Sequence, residues 1–236
     1  LGLRGELIND PEKDQRVLLP QIQTEYRFDR NTAWYTNIGK AFQMPTVDDS
    51  FKYPAFNPTG LKPERGWTYE TGVKMRRGKD TWKAAVYHMA MKNKIGWKWD
   101  PVTLSYYATN VGDFRNLGVE VEYTRNINSM WRFTLGGSVS NPQIKTPNSG
   151  TGWTQDAGRL EGLIRIDYEK AKWQGNLNFK YLGDREYYKP SPSSGTPQDT
   201  PDKLQLNMNV IYTAGRDDVV SLGIYNLLNR ENYSNR

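Results

Sequence analysis

From Trp67 onward, apolar and polar residues alternate with a period of two. Trp67, Tyr69, Thr71, Val73 and Met75 fall on one side of a strand, and Thr68, Glu70, Gly72, Lys74 and Arg76 on the other, because successive side chains of an extended chain point to opposite faces. Arg77-Gly78-Lys79-Asp80 predicts a tight reversal, and Trp82 opens the return strand. The same alternation recurs at Ile22–Phe28, Val119–Thr124, Trp131–Val139 and Leu204–Tyr212. It is clear in the pair Leu160–Tyr168 and Trp173–Tyr181. There Ile164, Ile166, Tyr168, Leu177, Phe179 and Tyr181 form the apolar side, with Arg165, Asp167, Asn176, Asn178 and Lys180 opposite. Leu163 breaks the rule on the polar side. With further strands over Leu1–Ile8 and Thr32–Phe42 and from Val219, the pattern predicts an all-β chain of about eleven antiparallel strands.

The connections sort by length. Short turns centre near Asn31, Gly78, Ile127, Ala171 and Arg216. Between them fall longer polar segments: Asp10–Asp14, the stretch through Phe51, Tyr53 and Phe56, Lys94–Phe114, Pro142–Asp156 and Lys189–Pro201. Alternating short and long connections fit a transmembrane β-barrel, with tight turns on one side of the membrane and longer loops on the other. A soluble sandwich has no reason to sort its loops by end. No apolar run approaches the length of a transmembrane helix, but a barrel strand needs only about 9–11 alternating residues.

Composition sharpens this reading. Aromatic residues make up 13% of the chain, with 15 Tyr and 8 Trp, which suits the interfacial belts of a barrel. It also suits an aromatic-rich, carbohydrate-binding β-sandwich. The net charge of +6 attracts anionic ligands or lipopolysaccharide; the basic residues are scattered, so nucleic acid ranks low. There is no cysteine, and hence no disulfide or thiolate chemistry.

Enzyme chemistry has no foothold. Glu120 and Glu122 sit two apart on the polar side of a strand and read as a solvated or salt-bridged lining. His88 is the only histidine and has no companion ligands, so neither a metal site nor a cofactor is expected. The candidate ligand-binding residues are aromatic: Trp97, Trp99, Tyr106 and Tyr107 in one long connection, Trp153 in the next, and Tyr187 and Tyr188 at the base of the one after. With nearby Arg and Lys they offer stacking and charge attraction to an anionic chelate. The alternative for each ring is a place in the aromatic girdle.

Several stretches together resemble TonB-dependent outer-membrane receptors. They are LKPE at Leu61–Glu64 with YETGVK at Tyr69–Lys74, and the segment Leu18–Thr46 with Tyr35, Gly39, Phe42 and Pro45. Asn110–Glu122 and NLLNRENY at Asn226–Tyr233 follow. The resemblance implies a bacterial outer-membrane receptor that takes up a ferric siderophore or a cobalamin-like nutrient, energised through TonB. It also implies a presumed 22-stranded barrel around an N-terminal plug, in contact with outer-membrane lipid and lipopolysaccharide. Residues 1–236 are then expected to be the C-terminal portion of that barrel, with the plug and the final closing strand not present. Such a portion is not expected to close into a pore alone. A passive porin is the alternative within the membrane, and the soluble sandwich the alternative outside it.

Overall fold

The computed structural model describes residues 1–8, 15–45, 60–145, 152–188, 197–216 and 218–232. The expected loop at Asp10–Asp14, the stretch through Phe51, Tyr53 and Phe56, the first part of Lys189–Pro201 and Tyr233 lie outside these residues. Eleven strands follow one another in hydrogen-bonded order along a single antiparallel sheet. They are β1 (Gly2–Ile8), β2 (Gln15–Arg27), β3 (Thr32–Gln43), β4 (Glu64–Arg77), β5 (Asp80–Asp100), β6 (Ser105–Asn126), β7 (Trp131–Ser140), β10 (Leu160–Lys170), β11 (Trp173–Gly183), β14 (Lys203–Thr213) and β15 (Val219–Ile224). Short strands β8 (Gln143–Lys145) and β9 (Thr154–Gln155) extend the sheet beside β6, while β12 (Arg185–Tyr188) and β13 (Pro197–Thr200) pair separately. Among the described residues there is no helix and no second sheet layer facing the first.

The short turns fall where the alternation predicts them, and local chemistry closes three of them. Asp29 accepts the N–H groups of Asn31 at 2.6 Å and Thr32 at 2.7 Å. Asn128 does the same for Met130 at 2.8 Å and Trp131 at 2.9 Å. These side chains stand in for a backbone turn, which is why Asp and Asn favour such positions. Gly78, at φ 58°, takes the left-handed conformation that a two-residue hairpin turn demands.

Three predicted connections differ. Lys94–Phe114 is not a loop, because β5 and β6 run on to Asp100 and from Ser105. The polar segments Pro142–Asp156 and Lys189–Pro201 contain β8, β9 and β13. These differences have one cause: pairing with a partner strand fixes these residues, and a local pattern does not contain the partner.

The register aligns most of the apolar side chains of neighbouring strands on one face. Val73, Ala84, Val121 and Gly137 are successive partners, as are Leu135, Ile164, Phe179 and Leu206. Val119, Val121, Leu135 and Ile164 stand exposed, while Ala85 and Thr134 on the opposite face are buried. This is a soluble protein's arrangement turned inside out. Next to the short turns the apolar face carries an aromatic row. Trp82 meets Tyr123 with ring centroids 4.2 Å apart, Trp131 meets Tyr168 at 4.6 Å, and Trp173 meets Tyr212 at 4.6 Å. A second row lies six residues further along β5, where Tyr69 stacks on Trp67 and on His88. Between the rows, no charged side chain stands on this face among the described residues.

The polar face packs by inserting tyrosines over glycines. Tyr35 lies directly opposite Gly72, and Tyr87 opposite Gly118. A Cβ on Gly72 would sit 2.7 Å from the Tyr35 ring, and one on Gly118 would sit 2.5 Å from that of Tyr87. Each ring therefore lies flat over its partner strand. Leu163, the break in the alternation, fills the space beside Gly136 on the same face.

Gly118→Val is expected to destabilise the protein by about 1–3 kcal/mol through overpacking. The Tyr87→Ala background is expected to absorb part of that loss. Denaturant midpoints of the single and double variants check this; strictly additive effects would contradict the insertion.

Candidate functional site

Two regions carry polar groups in numbers: the polar face itself, and the end of the sheet away from the short turns. On the polar face, Lys83 of β5 reaches across to Glu120 of β6 at 2.8 Å. Both side chains are more than a third exposed, so the pair contributes at most about 1 kcal/mol. Lys74 lies 4.5 Å from the centre of the Tyr35 ring. Arg165 Nε sits 3.2 Å from Asp167, whose other oxygen accepts from Asn176 at 2.6 Å. Glu120 and Glu122 both stand on this face, Glu120 in the ion pair with Lys83. Asn116 Oδ1 and Asn178 Oδ1 are buried on this face without hydrogen-bond partners among the described residues. Buried acceptors of this kind favour a polar neighbour.

The far end is tied together by side chains distant in sequence. Asn110 accepts from the Lys62 N–H at 2.9 Å and donates to the carbonyls of Lys62 at 2.8 Å and Asn93 at 2.7 Å. Glu64 accepts the Ile95 N–H at 2.7 Å, and Lys94 reaches Asp156 at 2.7 Å. Arg185, almost fully buried, donates to the Pro201 carbonyl at 2.7 Å. Arg115 donates to Gln143 at 2.8 Å and stacks its guanidinium 4.2 Å from the centre of the Trp153 ring.

Beyond this knot, β5 and β6 project as a two-stranded arm. Each strand takes one extra residue between Met91 and Ile95 or opposite it, and the pairing then resumes to Asp100. At the tip, Asp100 accepts the Val102 N–H at 2.9 Å and the Thr103 hydroxyl at 2.7 Å. The Thr103 hydroxyl first, then the Val102 N–H, holds the Asp100 carboxyl below the usual carboxylate range.

The structure brings together only some of the residues singled out from the sequence. Trp97, Trp99 and Tyr106 share one face of the arm, with Trp99 and Tyr106 edge to face at 5.0 Å. All three rings are about half exposed. Tyr107 lies on the opposite face, across from Lys98. The Trp153 ring lies under the Arg115 guanidinium. Tyr187 and Tyr188 belong to β12, paired with Gln198 and Pro197. His88 stacks on Tyr69 within the apolar face. Sequence reasoning missed Asn110, Arg115 and the Lys94–Asp156 pair. Their partners lie 17 to 62 residues away, and no local pattern carries that signal.

Comparison with known proteins gives a family. Residues 1–227 match the family described as TonB dependent receptor-like, beta-barrel. No curated protein sequence matches the chain. Among solved structures, the copper transporter OprC superposes with a TM-score of 0.64 at 18% identity, over 92% of this chain and 35% of that one. The ferric-catecholate import receptor Fiu from K12 E. coli gives 0.61 at 19% identity, over 92% and 32%. The siderophore receptor PirA from Acinetobacter baumannii gives 0.65 at 15% identity, over 91% and 37%. At these identities the likeness is one of fold. The chain spans about a third of the length of each of these structures.

A pH dependence follows from Asp100. Its folded-state value is lowered, so the order it gives the arm tip is complete above the unfolded value of about 3.9. That order is lost as pH falls through the lower folded value. Hydrogen exchange at the Val102 amide, corrected for intrinsic rates, is expected to be constant from pH 7 to 5 and to rise below about pH 4. Asp100→Asn is expected to remove the dependence. A dependence that survives in the variant would assign it to another group.

Proposed function

This chain belongs to the TonB-dependent receptor-like β-barrel family, and from that premise we propose that it forms wall and external loops of a receptor taking up a scarce nutrient. TonB-dependent receptor barrels are outer-membrane proteins of Gram-negative bacteria. The cargo we propose is a ferric siderophore, or a chelate of similar size such as cobalamin, carried inward at the expense of energy delivered through TonB. The observation that carries the membrane part of this reading is the inverted facing of the sheet. Its exposed side is apolar between two aromatic rows, and its charged side faces the other way. That is the facing of a sheet with lipid outside and a polar interior.

Residues 1–236 serve in this reading as the C-terminal part of the barrel. Among the described residues, β1 and β15 each pair on one side only. An unpaired edge in lipid costs several kcal/mol per group, so both are assigned to pairing with further strands of the same wall. In this reading the polar face that carries the buried acceptors Asn116 and Asn178 is assigned to the side of a plug domain inside the barrel. The neighbouring structures support the cargo class by their own descriptions, as a ferric-catecholate import receptor and a siderophore receptor.

Capture falls to the arm. Its exposed Trp97, Trp99 and Tyr106 offer stacking surface to an aromatic chelate, and Lys98 on the other face adds positive charge. Trp97→Ala and Trp99→Ala in the protein that carries this chain are expected to weaken binding of a ferric siderophore by roughly ten-fold or more each. Trp153→Ala is expected to leave that binding unchanged. Titration with a panel of ferric siderophores and cobalamin measures both; full affinity in the two arm variants would remove the arm from the site.

The facing has its own test. Ile164 lies between Leu135 and Phe179 on the apolar face. Ile164→Lys is expected to cost about 2–4 kcal/mol in a lipid-reconstituted folding titration, and Arg165→Lys on the other face very little. Equal tolerance of the two would contradict the membrane placement.

A further inference from the structure

The polar face changes character from one side of the sheet to the other. On β4, β5 and β6 it carries Glu70, Lys74, Lys83, Glu120 and Glu122, with Lys83 paired to Glu120 at 2.8 Å. On β11 and β14 the same face is built largely of amides. The register sets Asn176 opposite Asn209, Asn178 opposite Asn207 and Lys180 opposite Gln205, with Gln174 one rung nearer the short turns. Between the two sectors, β7 contributes only Thr134, Gly136 and Ser138 to the middle of the face. These are small, so the face is recessed there. The charges of β10 are already engaged, Arg165 with Asp167 and Asp167 with Asn176.

Two hollows lie in line along the amide sector. The one further from the short turns, about 520 Å³, reaches Gly136, Leu163, Lys180 and Gln205. The one beside the short turns, about 370 Å³, reaches Arg132, Asn176 and Asn209. The rung of Asn178 and Asn207 lies between them, and Asn178 Oδ1 is the buried acceptor without a partner among the described residues. Another hollow lies over the charged sector, where Glu25, Glu70, Lys74 and Lys83 line it. Ions and amides differ toward a body that must let go. A hydrogen bond with an ionised partner is roughly twice as strong as a neutral one. A carboxamide both donates and accepts, so water or a polar solute replaces its partner without leaving a group unmatched. Contacts along β11 and β14 therefore exchange readily, whereas those along β4 to β6 hold.

We propose that cargo passes along β11 and β14, with Asn176, Asn178, Asn207 and Asn209 as successive hydrogen-bonding stations for a polar solute, while the charged sector of β4 to β6 stays engaged throughout. The proposal rests on the receptor reading above and assigns the passage of that receptor to one side of its wall. The bare acceptor of Asn178 midway between the two hollows is a station that takes a donor from the solute and returns to water when the solute moves on.

The test uses the whole protein that carries this chain, in cells. Asn209→Cys and Asn37→Cys make the same replacement in the amide sector and in the charged one, where Asn37 stands opposite Glu70. A membrane-impermeant maleimide is added, and its attachment at each position is read by peptide mass spectrometry. The cargo probe is whichever of a ferric tris-catecholate, a ferric tris-hydroxamate and cobalamin the wild type takes up. Labelling at Asn209→Cys is expected to rise several-fold when the probe and an energised membrane are both present, and labelling at Asn37→Cys to stay constant. Asn176→Trp with Asn209→Trp is expected to slow uptake roughly ten-fold or more by overpacking the passage, with binding of the probe unchanged. Heat-modifiable migration on electrophoresis shows whether that double variant is folded; if it is not, the labelling alone decides. A rise at Asn37→Cys, no rise at Asn209→Cys, or undiminished uptake by the folded double variant overturns the passage. A wild type that takes up none of the three probes contradicts the receptor reading itself.

Discussion

Backbone hydrogen bonding governs this molecule. In hydrocarbon, each N–H and C=O without a partner costs several kcal/mol, so a wall of strands must pair continuously. The described chain does so along eleven successive antiparallel strands. Everything else adapts to that ladder. Because pairing holds neighbouring strands about 5 Å apart, bulky side chains must find room above or below the sheet, never between strands. Tyrosines lying over Gly72 and Gly118 are one solution. Aromatic rings stacked across neighbouring strands at the short-turn end are another.

The ladder also separates two chemistries that share every strand. In the membrane reading one face meets hydrocarbon, and it holds Val, Leu and Ile exposed. The other holds Lys83, Glu120, Arg165 and Asp167 a single residue away in register from those apolar positions. A shift of one residue in any pairing would turn the whole set over. Tight turns closed by Asp29 and Asn128 are what keep that shift from happening.

Much of this was legible in the sequence, because a period of two is a local property. Trp67 to Met75 declare their face without reference to any other strand, and Gly78 declares its turn. The TonB-dependent receptor family was legible in LKPE, YETGVK and the asparagine-leucine element near Asn226, and the match over residues 1–227 agrees. What escaped depends on partners. Lys94–Phe114 reads as a loop because Gly96, Pro101 and Gly112 interrupt it, yet pairing between its two halves makes it an arm. Trp153 reads as one more exposed ring, yet Arg115, 38 positions earlier by their numbers, fixes its place. Side-chain knots such as Asn110 with Lys62 and Asn93 have no signature at all in a single chain.

The irregularity at the root of the arm has an evolutionary reading. One extra residue in β5 and one in β6 exchange which positions face which way, and the two strands leave the irregularity still paired. The wall below keeps its own alternation. Loss or gain of that residue in both strands would therefore turn the arm over, trading Trp97 and Trp99 for Lys98 and Tyr107 on a given side, with no substitution anywhere. In the receptor reading proposed above, one inserted or deleted residue in each strand would change what the arm presents, while the wall beneath keeps its facing.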